Sequence, residues 1–366
     1  MAAFFGREQL SRALRIFKGQ IWIILTLVVF SINAYIVYTL FFSTPIAPPI
    51  EPPPEAIDKN EIPEGMITSD LNGVYVPEAL GRQRPLAVMI DNFAAARPAS
   101  GLNEASVVWE TLVEGGVTRF LAVYQTSADV IIGPVRSARD YFLPWVKEVD
   151  AIYVHSGGSP TSLKAIMADP SLDNADEFSN GRAYYRSSGA PPHNLYTTTE
   201  RLEKLRSDKD WRAEASLTPL TADDELLAVG EAAEKITINF SAVPSYRAQW
   251  LYDEEKELYL RSQGGIVVSD RETREQLRAK NIIIQLARVT PALPPAPPDA
   301  VVVETVGTGE AWFFRNGRLI KGHWEKPTST SRTIFLDADK KPYHLARGSL
   351  WIEVVPKDMT SKIKVE

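Results

Sequence analysis

Arg136 and Arg139 stand three residues apart in Arg136-Ser137-Ala138-Arg139-Asp140. Ser137 with Asp140 has the form of a capping box, which predicts a helix from Ala138 to about Glu148. Two guanidinium groups beside the free N–H groups of a helix start make a pocket for a carboxylate or a phosphate. The competing reading is internal: the same arginines brace the fold by pairing with Asp91, Glu110, Glu114 or Asp140, since helix starts take internal carboxylates as readily as foreign ones.

His155 ends a predicted strand, Ala151 to His155, and is followed by Ser156-Gly157-Gly158-Ser159-Pro160. A loop this rich in glycine lets backbone N–H groups turn toward a ligand, with His155 at its mouth as acid, base or metal ligand. The segment is neither a G-x-S-x-G elbow nor a phosphate loop, so a structural turn competes with that reading. His193, in Pro191-Pro192-His193-Asn194, would complete a triad with Asp91 and Ser156 or Ser159 if the fold gathers them, because triads are defined by geometry and not by order. A metal site would draw on His155, His193 and Asp91, but no H-x-x-x-H pair marks one, and no metal or cofactor is expected. Asp91, Asn92, Glu110, Glu114 and Arg119 are polar residues among apolar strands and need partners if buried. The candidate ligand-binding set is therefore Asp91, Asn92, Glu114, Arg119, Arg136, Arg139, His155, Ser156, Gly157, Gly158, Ser159, His193 and Asn194. His323 and His344 read as surface or packing residues.

These residues need a scaffold, and the pattern of apolar runs supplies one. Leu86 to Ile90 is a continuous apolar run suited to a buried strand, ending at Asp91-Asn92. Val107 to Val113 and Val117 to Gln125 are strand-like and joined through Glu114-Gly115-Gly116, a hairpin signal. Val130 to Ile132 is a shorter strand. Ser159 and Pro160 suit the N-cap and first position of a helix to about Ala168, and Thr197 with Glu200 opens another to about Asp208. Strand and helix alternate, which predicts an α+β or α/β N-terminal domain over 70–217.

From 218 to 366 the texture changes to a mostly antiparallel β domain. After a helix expected from Asp223 to Glu234, strands are predicted at Lys235 to Phe240, Tyr246 to Tyr252 and Glu257 to Arg261. A short helix follows near Glu272 to Ala279. Beyond it lie strands at Asn281 to Val289, Ala300 to Val306, Ala311 to Arg315, Arg318 to Trp324, Thr333 to Asp337 and Ser349 to Val355, with Pro291 to Pro298 as a loop. Asn316-Gly317 is the strongest hairpin turn in the chain. Trp250, Tyr252, Tyr259, Trp312, Trp324 and Trp351 fit cross-strand packing better than a sugar platform.

Ahead of both domains, Ile21 to Phe42 runs without a formal charge, enough at 1.5 Å per residue to span roughly 30 Å of hydrocarbon. Arg7, Arg12, Arg15 and Lys18 precede it, whereas Glu51, Glu55, Asp58, Glu61 and Glu64 follow with only Lys59 among them. The positive-inside rule then makes 1–20 cytoplasmic, 21–42 a single N-terminal transmembrane helix acting as signal anchor, and everything later extracytoplasmic. A cleaved signal peptide would be shorter and end in a small-x-small site. Residues 43–69, with six prolines from Pro45 to Pro54, read as an extended linker.

The chain has 366 residues, a formal charge of -6 and no cysteine. That excludes disulfides, thiolate chemistry and a lipidated cysteine, and leaves no basic stripe for nucleic acid.

The stretches AVMIDN (87–92), ARPASGLNEA (96–105), VEGGVTRFLAVYQ (113–125), IGPVRSARDYF (132–142), DAIYVHSGGSP (150–160), PHNLYTTTE (192–200), GTGEAWFFRNGRLIKGHWEKP (307–327) and GSLWIEVVP (348–356) resemble the YerB-like family of bacterial cell-envelope proteins, over about residues 70–357. The resemblance implies two paired domains of unknown function and a place at the outer face of the membrane, usually as a lipoprotein; it implies no activity. Lacking a lipobox cysteine, this chain would be held by its helix, with the bilayer as partner through 21–42. The expected function is a membrane-anchored envelope protein binding an anionic or peptide-like ligand, a cell-wall component or an envelope protein. An extracytoplasmic hydrolase using His/carboxylate chemistry and a scaffold for cell-wall enzymes stand as alternatives, so catalysis is left open.

Overall fold

The computed structural model describes residues 20–22, 25–36, 62–224 and 230–366. The chain divides into two compact units, Met1–Asp58 and Lys59–Glu366. In the first, residues 20–22 and 25–36 are helical and exposed. Thr26 and Asn33 fold their polar atoms back onto the carbonyls of Trp22 and Val29, at 2.7 and 2.8 Å. Among the described residues no helix is long and apolar enough to cross a membrane; the rest of the 21–42 run lies outside them, as do most of 1–20 and of 43–69.

The second unit is a mixed α/β structure with mostly strands in its C-terminal region. Its strands are β1 (Leu86–Asp91), β2 (Val107–Leu112), β3 (Thr118–Tyr124), β4 (Ile152–His155), β5 (Asn174–Asp176), β6 (Lys235–Asn239), β7 (Arg247–Asp253), β8 (Leu258–Gln263), β9 (Asn281–Ala287), β10 (Gly307–Arg315), β11 (Arg318–Lys326), β12 (Leu350–Pro356) and β13 (Ile363–Val365), with shorter pieces beside them. An eleven-stranded sheet runs β11-β10-β9-β12-β2-β3-β1-β4-β5, completed by Glu231–Ala232 and Ile334–Leu336 on β11. A six-stranded sheet holds β8-β7-β6-β13.

Continuous apolar runs follow from burial on both faces of the long sheet. Along β1, Ala87 and Met89 enter one core, with Phe142, Trp145 and Val146. Val88 and Ile90 enter the other, with Trp250 and Tyr259 of the second sheet. Strands from both sides of 217/218 share the long sheet, because β12 lies parallel between β9 and β2, pairing Leu350 with both Asn281 and Val107. Met66–Thr68, placed by sequence at the end of the linker, pairs with Tyr75–Pro77.

Three helices suffice to place the site: α1 (Leu143–Glu148), α2 (Pro160–Met167) and α3 (Thr199–Asp208). Ser159 and Thr198 cap α2 and α3. Three local expectations are corrected. Ser137 caps nothing: Val135 bridges to Ile90 and Ala138 to Gly158, which holds 135–138 extended and delays the first turn to Asp140–Phe142. Glu272 to Ala279 is no helix, because Asp270 accepts from the amides of Glu272 and Thr273 in a turn and Arg278–Ala279 pairs with β8. In place of the Asp223 to Glu234 helix, Ala222–Asp223 and Glu231–Ala232 are strands; residues 225–229 lie outside the described residues.

Candidate functional site

Asp91 ends β1, opposite Arg119 in the register, and its side chain is buried. The extended 135–138 segment donates Arg136 N to Met89 O at 2.8 Å, which sets the Arg136 side chain beside Asp91. Arg136 Nε lies 3.1 Å from Asp91 Oδ2, an ion pair without hydrogen-bond alignment. His193 Nδ1 meets the same oxygen at 2.7 Å, and Phe93 N donates to Oδ1 at 2.9 Å. Since the carboxylate accepts, Nδ1 carries the proton in that contact. Asp91 is thus engaged at both oxygens, while among the described residues Nε2 of His193 and the Nη atoms of Arg136 have no hydrogen-bond partner. Those two side chains are 18% and 24% exposed.

Beside this pair, Arg139 grips Glu114 with two nitrogens, Nη2 to Oε2 at 2.7 Å, and donates to Ala138 O. Burial alone would push the Glu114 carboxyl up, but the Arg139 fork overcomes it and holds it below its ordinary value. Burial likewise opposes the charge of Arg139, and Glu114 outweighs it, leaving that guanidinium above its usual value. Arg119 has no such carboxylate: it donates to Ser137 O at 2.9 Å and its Nε is unpartnered. Burial first, then the charges of Arg139 and Arg136, bring Arg119 down to about 10. Three arginines face two carboxylates, so the cluster holds one uncompensated cation near neutral pH.

The other expected residues serve the fold. His155 is not at a loop mouth: it is fully buried, with Nδ1 2.8 Å from Gly157 O and Nε2 2.7 Å from Oδ1 of Asn174, whose amide can present either end. Burial lowers its pKa, keeping the ring neutral. Ser156 donates to Glu177 at 2.9 Å, Gly157 N to Asp176 at 2.8 Å, and Ser159 caps α2. The glycine loop thus gives its groups to internal partners, with Gly157 at φ +60 and Gly158 packed against Ser162. Among the described residues no serine reaches His193, so the triad is not assembled there. Asn194 Nδ2 ties down the carbonyls of Ser187 and Gly189. Asn92 turns to the opposite face, toward Thr118 at 2.7 Å and Glu110 at 3.2 Å. His344 pairs with Asp223 at 2.8 Å, and His323 is exposed on β11. Among the described residues no His, Asp and Glu group gathers as metal ligands.

Sequence reading passed over Arg261 and Glu353. Both sit at core-facing positions two residues from a buried aromatic, Tyr259 and Trp351, and the lone charge of Glu353 in the otherwise apolar β12 was the available signal. They form a buried network with Glu110. A cleft of about 750 Å³ lies apart from the expected residues, lined by Arg182, Arg201, Lys204 and Lys209 among others.

Residues 71–212 match the family model described as "Protein of unknown function (DUF3048) N-terminal domain", and residues 236–352 match its C-terminal counterpart. A protein of Bacillus subtilis (strain 168) named "Putative lipoprotein YerB" is 29% identical over 293 residues, covering 79% of this chain and 86% of its own. The chain belongs to the YerB-like family. The crystal structure of YerB from Bacillus subtilis superposes with a TM-score of 0.73 at 29% identity, covering 82% of this chain and 99% of the other. In this YerB-like chain Asp91, Arg119, Arg136 and His193 all fall within the N-terminal match, whereas the Glu110–Arg261 contact joins the two matches.

Proposed function

We propose that this YerB-like chain is a membrane-anchored, extracytoplasmic protein of the bacterial cell envelope that binds an anionic or peptide-like envelope component at Arg136 and His193. One observation carries the reading: Asp91 consumes Nδ1 of His193 and pairs with Nε of Arg136, leaving the Arg136 Nη atoms as donors beside His193 Nε2, which donates when the ring carries both protons, over a cluster with one cation in excess. Preorganised donors of this kind suit a carboxylate or phosphate. The relative's name as a lipoprotein supports an envelope location. With no cysteine to acylate, the 21–42 run is the anchor and the bilayer its partner. Calorimetric titration with a muramyl tetrapeptide bearing free carboxylates tests the site: affinity should fall at least tenfold in Arg136→Ala and in His193→Ala. Unchanged affinity in both removes the site.

The oriented histidine also favours a second reading, an extracytoplasmic hydrolase in which His193, held by Asp91, activates water. Release of product from that peptide by wild type, absent in His193→Ala, would establish it, and intact peptide after prolonged incubation would end it.

A further inference from the structure

The anion donors have an apolar neighbour. Phe93 follows Asp91-Asn92 directly, and its ring stacks on His193 with centroids 4.9 Å apart and planes 11° from parallel. Phe93 itself is 43% exposed, and Ala94 and Ala95 after it are exposed too. Arg97 closes this loop onto another, donating to Ser245 O at 2.8 Å and lying 5.0 Å over the Tyr246 ring. A third loop abuts the second, for a Cβ placed on Gly264 would come within 3.1 Å of Ser245 Cα. The tips of these two loops carry Val243, Ile266 and Val267, at 41%, 72% and 59% exposure.

Single exposed apolar residues are ordinary, but several on three touching loops beside a polar site mark a binding surface. Charge and apolarity meet at one residue pair, since the ring stacked on His193 begins the apolar surface. We infer that the ligand is an amphiphilic anion, its carboxylate or phosphate head on Arg136 and His193 and its apolar tail across Phe93, Val243, Ile266 and Val267. The inference rests on the proposed anion site and adds the tail. Each methylene taken from water strengthens binding about fourfold.

The test uses Lys59–Glu366, which carries both cores and the whole site. Inorganic phosphate, butyl phosphate, octyl phosphate and octanol are titrated below their micelle concentrations. Octyl phosphate should bind at least 100-fold more tightly than inorganic phosphate, with butyl phosphate between them and octanol far weaker. An Ile266→Ser/Val267→Ser variant and, separately, Val243→Ser should flatten the chain-length dependence and leave inorganic phosphate binding intact; circular dichroism checks that each is folded. Equal affinity across the phosphates overturns the tail and spares the anion site. Octanol binding as tightly as octyl phosphate also overturns the amphiphile. If no anion binds at all, both the tail and the site beneath it fall.

Discussion

Arg261 of the second sheet donates to Glu110 of the long sheet at 2.5 Å, with neither side chain exposed. The same guanidinium donates to Glu353 at 2.9 Å, which also accepts from Trp250 Nε1 at 2.7 Å. Rings of Trp250 and Trp351 lie 5.0 and 4.8 Å from the cation. One cation cannot neutralise two carboxylates. Burial, then the charge of Glu110, drives the Glu353 pKa well up, which favours its protonated form. This network joins the two sheets through the interior, and the family matches on either side of it are held as one body.

Removing one partner of a buried pair leaves the rest uncompensated. Arg261→Ala should therefore cost about 3–5 kcal/mol, read from urea unfolding followed by tryptophan fluorescence. A loss below about 1 kcal/mol would mean the network does not bind the sheets together.

Glu353→Gln mimics the protonated acid and should fold normally. Because burial raises the folded pKa of Glu353 above 4.5, its contribution to stability is complete below that pH and is lost as pH rises. Wild type should thus lose stability relative to the variant by up to about 1.4 kcal/mol per pH unit above 4.5. Parallel stability curves from pH 4 to pH 8 would show that the acid is ionised in the fold.

The opposite sign applies at Glu114, whose pKa the Arg139 fork lowers despite burial. Its contribution is present above 4.5 and disappears as pH falls below that value. Glu114→Gln should cost about 1 kcal/mol at pH 7 and progressively less as pH falls below 4.5, by thermal melts at each pH. A cost that persists in acid would assign the loss to packing.

His155→Ala should cost about 2–4 kcal/mol and leave ligand affinity unchanged, since its ring is buried and bonded internally. Burial depresses the His155 pKa below 6.5, so the stability it supports is present above that pH and declines as pH falls through the folded value. The acid sensitivity of wild type below pH 6.5 should weaken in the variant. Lost affinity in a folded variant would restore His155 to the site.

Much of the scaffold was legible because it is written locally. Leu86 to Ile90 shows a doubly covered strand through its unbroken apolar run, and Asn316-Gly317 shows its turn because both residues take positive φ, 54 and 68. Strand partnership was not legible: apolar runs at β2, β9 and β12 carry no label of register, so the parallel junction around β12 could not be read. The Ser137 cap failed because ladder bonds to β1 and to the glycine loop outweighed a local motif. Within the site, residue types pointed to Asp91, Arg136, Arg139 and His193, but their division of labour depends on contacts such as Asp91 to His193, 102 residues apart.

Nitrogen-15 and carbon-13 NMR of histidine- and arginine-labelled Lys59–Glu366 tests the central claim most directly, with His193 and Arg136 assigned from His193→Gln and Arg136→Lys spectra. Added octyl phosphate or muramyl tetrapeptide should shift the His193 Nε2 and Arg136 Nη signals saturably, while His155, His323 and His344 stay still. Ligand binding with His193 and Arg136 unmoved would contradict the account.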